Sequence, residues 1–204
     1  MQLESSLVLN KFNILINSFI DNKIGISDNF LPDSLALQLK ENLIGLMEDD
    51  KFRLAGTGNA DVVMHKTSLR SDKIYWLDRL HNNPSENDFF DLIDTFINYL
   101  NKTCYTGITG YEFHYTLYEP GSFYKKHIDQ FRNNESRKYS IIMYLNNGWQ
   151  EDDGGKLCIY HSDHLQFISP ENGKIVFFKS NEIEHEVMIA NKPRMSITGW
   201  LKVN

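Results

Sequence analysis

The hydrophobic period of this chain changes once, near Tyr111, and that change restricts the fold more than any other feature. Before it, apolar residues recur at helical spacing. In PDSLALQLKENLIGLMEDD, Leu35, Leu39, Leu43, Leu46 and Met47 fall on one helical face. Pro32 suits the first helical turn, where its missing N–H costs little. SENDFFDLIDTFINYLNKT repeats the pattern with Phe89, Leu92, Ile93, Phe96, Ile97 and Leu100. Ser85 is its expected N-cap, with Asp88 at the N3 position adding negative charge to the first turn. An earlier helix is expected over about residues 4–20. Between the helices, Gly56, Gly58, Asn59 and Asp61 are turn chemistry. A hairpin or mobile loop should follow there, and then a short segment ending at Trp76.

After Tyr111 the runs are short and rich in β-branched and aromatic residues: YEFHYTLYEP, KYSIIMYLN, GGKLCIYH, HLQFISP, GKIVFFKS, HEVMIAN and RMSITGWLKV. Turn clusters such as NNGWQEDDGG and SPENG separate them. Evenly spaced short strands predict a sandwich or jelly roll. Helices followed by strands predict an α+β domain with helices packed on one outer face. With 204 residues, one domain has chain enough for a sizeable core.

The net charge of −6 disfavours a nonspecific nucleic-acid binder, which needs basic surface against phosphates. Lys125, Lys126, Arg132, Arg137 and Lys138 form a local basic bias, read first as a solvated strand end. The two cysteines, Cys104 and Cys158, have neither disulfide nor zinc-ribbon spacing, and both are expected as small buried residues. The first residues carry no basic segment before an apolar run, and no stretch reaches the roughly 20 apolar residues of a membrane helix. A soluble cytoplasmic protein with no membrane partner is the expectation.

His127 and Asp129 lie two residues apart in YEPGSFYKKHIDQF. On a strand, that spacing aims both side chains at one face. The bland alternative is a surface strand with solvated charges, and an H-x-D pair alone is a weak signal. His185, on a late strand, offers a third donor. Two histidines and one carboxylate leave three positions open on an octahedral ion, the pattern of non-heme Fe(II) oxygenases. A structural zinc site would be closed by four protein ligands. Nine residues after His185, Arg194 stands in an otherwise apolar strand. A buried arginine needs a carboxylate partner, and its planar fork suits bidentate capture of one. The Tyr144 hydroxyl is placed to share that carboxylate.

These motifs resemble the 2-oxoglutarate- and Fe(II)-dependent dioxygenases of the prolyl 4-hydroxylase group, which are built on a double-stranded β-helix (jelly-roll) core. The resemblance covers residues 111–203. It extends to LRSDKIYWLD at residues 69–78, which is similar to a segment of the oxygen-sensing prolyl hydroxylases and their bacterial counterparts. It implies one domain over 1–204. Residues 1–110 would be mainly helical support, with a substrate flap at about 54–68, and 111–204 the catalytic jelly roll.

The resemblance further implies Fe(II) bound by His127, Asp129 and His185, with O2 as a second cosubstrate and ascorbate as a possible accessory reductant. Arg194 and Tyr144 would hold the far carboxylate of 2-oxoglutarate, beside Tyr118 and Thr198, between apolar walls of Ile142, Leu157 and Val187. Tyr124 and Trp200 would face the substrate, and Arg70, Asp72 and Arg137 would form a polar cluster near the substrate loop. His114 shares the alternation of Tyr118 and is a further substrate-contact candidate. The implied partner is a protein bearing a target proline, with elongation factor Tu suggested by analogy to bacterial members, and a monomer is expected.

Two other readings stand beside this one: a cupin-like metal sensor without turnover, and a dioxygenase acting on a nucleic-acid base. The carboxylate clamp opposes the first, and the acidic charge and RSDKIYW the second. His161 and His164 in YHSDHL are expected to form a turn rather than a second metal site, and His65 and His81 to be exposed.

Overall fold

The computed structural model describes residues 2–56, 68–130 and 135–203, with residues 2–5 given by their backbone only. Most of the expected flap therefore lies outside the described residues, as do His65 and Arg132. Among the described residues, three α-helices precede most of the sheet: α1 (Gln2–Asn22), α2 (Asp33–Glu48) and α3 (Pro84–Cys104). Among the described residues no helix is long and apolar enough to cross a membrane.

Four strands lie within or just after the helical half: β1 (Ile24–Ser27), β2 (Arg53–Leu54), β3 (Lys73–Trp76) and β4 (Gly110–Tyr118). Seven follow: β5 (Tyr124–His127), β6 (Arg137–Tyr144), β7 (Leu157–Tyr160), β8 (Leu165–Ile168), β9 (Ile175–Lys179), β10 (His185–Val187) and β11 (Arg194–Lys202). They form two sheets, β1-β9-β6-β11-β4-β3-β2 and β5-β10-β7-β8. The strand pairings within both sheets are antiparallel.

The larger sheet is buried on both faces, which explains the unbroken apolar run of SIIMY. On its outer face Tyr115, Leu117, Ile141, Met143, Phe177 and Ile197 pack against Phe12, Leu15, Leu39, Phe89, Ile93 and Phe96 of the helices. On its inner face Tyr118, Ile142, Tyr144, Val176 and Phe178 meet Leu157, Ile159 and Val187 of the smaller sheet. The helices therefore support one side of a jelly roll, and the inner layer is left for chemistry.

Several local expectations needed correction. The cap of α3 is Asn83, whose side chain accepts from the Glu86 amide, with Pro84 in the first turn. Ser85 lies inside the helix and donates to Asn83 Oδ1. Glu86, not Asp88, occupies N3. It is buried and accepts from Asn42, and the Nδ1 of His81, exposed as expected, lies 2.9 Å away. Met47 is exposed, because α2 turns that position away from the core. Cys104 is exposed at the end of α3, while Cys158 is buried as expected. β1 went unpredicted; it pairs with β9 at the edge of the larger sheet. His161 and His164 do form a turn, with the His161 amide donating to the His164 carbonyl.

Gly199 sits opposite Phe113 in the β11–β4 ladder. A Cβ there would lie 2.2 Å from Phe113 Cδ1 and 2.3 Å from the Glu112 carbonyl oxygen. A ladder oxygen cannot move aside. Gly199→Ala should therefore destabilise the protein by about 1–3 kcal/mol or more, read as a fall of several degrees in Tm. An unchanged melting midpoint would contradict this packing.

Candidate active site

β5 ends at His127, and Asp129 follows the strand in a bend. The strand alternation expected to align the two thus does not extend to Asp129; the bend turns its carboxylate back instead. His185 opens β10 directly across from His127, so the two imidazoles are cross-strand neighbours. Asp129 Oδ1 lies 3.4 Å from His127 Nε2 and 3.6 Å from His185 Nε2. One donor atom from each residue falls within 4.8 Å of the others.

Both histidines face a backbone carbonyl through Nδ1: His127 that of Lys125 at 2.7 Å, and His185 that of Ile183 at 3.1 Å. Donation from Nδ1–H to these carbonyls leaves each Nε2 lone pair free for a metal. Burial pushes His185 down to about 4 despite the pull of Asp129, so it is neutral at neutral pH. Burial alone would raise Asp129, but His185, His127 and the Ser140 hydroxyl outweigh it and hold the carboxyl far below its usual range. Two imidazoles and an anion within reach of one point are the donor set of a divalent cation.

Arg194 opens β11 and is only 1% exposed. Gly155 (φ +60°) is its anchor: its carbonyl accepts from Arg194 Nε at 2.8 Å, and a Cβ there would press to 2.9 Å from Arg194 Cδ. The guanidinium carbon lies 4.9 Å from the Tyr118 ring centre and 5.0 Å from that of Tyr144. Among the described residues it has no carboxylate partner, and Arg194 Nη2 and Tyr144 Oη are buried without hydrogen bonds. Ser196 Oγ is a third such orphan; its residue is in register with Tyr144. Buried donors of this kind cost free energy unless something accepts from them. A bound carboxylate would satisfy all three.

A cleft of about 810 Å³ joins the metal donors to Arg194. Tyr118, Thr198, Ile142 and Val187 line it, whereas Tyr144 and Leu157 lie in the packed layer beneath. Tyr124, Trp200, Arg70, Arg137 and His114 line its outer part. Asp72 does not reach the cleft; it is fully buried and grips Arg70 in a two-bond fork at 2.7 and 2.5 Å. The Arg70 guanidinium rests 4.1 Å over Tyr124, whose ring stacks on His127 at 3.5 Å. Arg137 belongs to a separate cluster, 3.5 Å over Trp200 and paired with Glu112. Burial pushes His114 down to about 4, so it is neutral, with Nδ1 3.0 Å from the Thr116 hydroxyl.

Residues 113–202 match the family model of the 2OG-Fe(II) oxygenase superfamily. His127, Asp129, His185, Arg194 and Tyr144 all fall within the matched stretch.

A solved Pseudomonas putida prolyl-4-hydroxylase is 28% identical, with a TM-score of 0.84 over 95% of this chain and 99% of that one. A Trichoplax adhaerens prolyl hydroxylase, solved with a hypoxia inducible factor peptide, shares the fold at a TM-score of 0.87, 24% identity and 99% and 93% coverage. Mouse prolyl 3-hydroxylase OGFOD1 is 35% identical over 77 residues, 32% of this chain. That match spans only 14% of the mouse protein's length.

Sequence reasoning missed three residues at or behind this site. Ser196 was legible, since it follows Arg194 by two on the same strand. Trp76, which lines the cleft 5.0 Å from His114, was seen only as the end of an extended segment. Ser140 carried no signal, because its bond to Asp129 depends on how β6 sits against the bend after β5.

Proposed function

We propose that this chain is an Fe(II)- and 2-oxoglutarate-dependent dioxygenase that hydroxylates a prolyl residue in a protein or peptide. One observation carries the reading: three candidate metal donors share a cleft with a buried arginine whose Nη2 lacks a hydrogen-bond partner. A bare metal sensor has no use for that arginine. His127, Asp129 and His185 would hold the iron. With 2-oxoglutarate and O2, the iron supplies the oxidising power, yielding succinate and CO2 as one oxygen atom enters a substrate C–H bond.

The chain's own residues position and exclude. Arg194, Tyr144 and Ser196 receive the far carboxylate of 2-oxoglutarate, and Arg194 contributes the fork. Ile142, Val187 and Tyr118 keep water from its aliphatic part. Tyr124, Trp76, Trp200 and His114 present flat faces to a pyrrolidine ring and its flanking backbone. Neutral His114 places no cation beside the reacting carbon. No side chain has to remove a proton from the substrate.

The 4-position is favoured by the likeness that spans nearly the whole chain, the 3-position by the shorter OGFOD1 match. We place the protein in the cytoplasm as a monomer, with ascorbate keeping the iron ferrous and a translation factor such as elongation factor Tu as the analogous target. The test is incubation with Fe(II), 2-oxoglutarate and host lysate. Succinate should form, and a tryptic proline should gain the mass of one oxygen. Acid hydrolysis and chromatography then separate 3- from 4-hydroxyproline. Succinate with no hydroxyproline would point to another substrate class; metal binding with no succinate would favour the sensor.

A further inference from the structure

The two oxygens of Asp129 have different neighbours. Oδ1 faces both imidazoles, at 3.4 and 3.6 Å. Oδ2 is turned away from them and takes a hydrogen bond from Ser140 Oγ at 2.7 Å. Ser140 Oγ is in turn 2.9 Å from Ser180 Oγ, and both serines are fully buried. A carboxylate only accepts, and a hydroxyl has one hydrogen. Ser140 therefore donates to Oδ2, and Ser180 donates to Ser140.

Ser180 is itself fixed at both backbone groups. Its amide donates to the Lys138 carbonyl at 3.0 Å, and its carbonyl accepts from the Gln130 amide at 3.2 Å. The second bond ties the serine pair to the bend that carries Asp129. Ser140 is held in β6 between Phe178 of β9 and Trp200 of β11. The arrangement orients the carboxylate from behind with a short charge-assisted bond.

A carboxylate can bind a metal through one oxygen or both. With two imidazoles and one oxygen, an octahedral ion keeps three positions for exchangeable ligands. With both oxygens bound it keeps two. We propose that Ser140, backed by Ser180, is a positioning residue that holds Asp129 as a one-oxygen ligand and so preserves the third open position. The inference rests on reading His127, Asp129 and His185 as a metal site, and not on which substrate is oxidised.

The full-length protein loaded with Mn(II), a redox-stable probe, tests it without turnover. Water-proton relaxation counts the exchangeable waters on the bound ion. The wild type should hold three and Ser140→Ala two, as Oδ2 swings onto the metal. Because alanine leaves a gap that could disturb the fold, Ser140→Thr and Ser140→Val form a second comparison. These side chains have nearly one shape and differ in the hydroxyl. Threonine should keep three waters and valine should lose one. The proposal is overturned if alanine or valine keeps three, or if threonine loses a water as valine does. A wild type that binds no Mn(II) would instead overturn the metal reading, and this inference with it.

Discussion

His185→Ala should abolish Fe(II) retention and turnover together, and His127→Ala and Asp129→Ala should do the same. Each removes one of three donors, and a two-donor remnant holds a first-row metal weakly. No other cluster of three metal-binding side chains exists among the described residues. The next histidine along the cleft, His114, is engaged through Nδ1 with the Thr116 hydroxyl and the Tyr115 carbonyl. The measurement is iron content after desalting, beside succinate release with 2-oxoglutarate in excess. A variant with full iron content and full activity would sink the assignment. Zn²⁺, Co²⁺ and Ni²⁺ should bind the wild-type site and inhibit it, because such donors do not select Fe(II) by affinity. Chelation followed by excess Fe(II) should restore activity.

Arg194→Ala should raise the 2-oxoglutarate requirement about 100-fold or more while leaving iron binding nearly unchanged. Removing one partner of a buried charge pair costs about 3–5 kcal/mol, and each 1.4 kcal/mol is about tenfold in affinity. Arg194→Lys should recover only part, since an ammonium cannot form the fork or keep the bond to Gly155 in the same geometry. Tyr144→Phe removes one hydrogen bond to a charged group and should cost about 1.5–3 kcal/mol. Titration of 2-oxoglutarate into each Mn(II)-loaded variant gives the affinities. An independent reading comes from melting. The free protein carries a buried guanidinium with an unsatisfied nitrogen, so 2-oxoglutarate should raise Tm in the wild type by mass action. Arg194→Ala should show little of that rise. Equal affinities across the three variants would mean that the carboxylate binds elsewhere.

The chemistry of this protein was unusually legible along the chain, because its informative residues are type-restricted. His127, Asp129 and His185 are residue types that donate to metals and lie together in the structure, and Arg194 stands out as a buried charge at the start of a largely apolar strand. The change from helical to alternating period gave the layer order, with outward Tyr115 and Leu117 on the helices and inward Thr116 and Tyr118 on the cleft. Local cap chemistry was less reliable. Asn83 competed with Ser85 for the start of α3, and Pro84 settled it by suiting the first turn rather than the cap.

The covalent order of residues was enough for the helical support, the strand-rich half and the candidate donors His127, Asp129 and His185, since period and residue chemistry are properties of short segments. It could not show that Asp129 leaves the strand, that Asp72 lies behind Arg70 and off the cleft, or that Cys104 faces solvent. Nor could it show that one oxygen of Asp129 belongs to Ser140. Each of these depends on which groups meet when separate segments pack. A buried polar atom must take its partner from whatever the register of the neighbouring strands places within about 3 Å, and that choice is made only when the two sheets close.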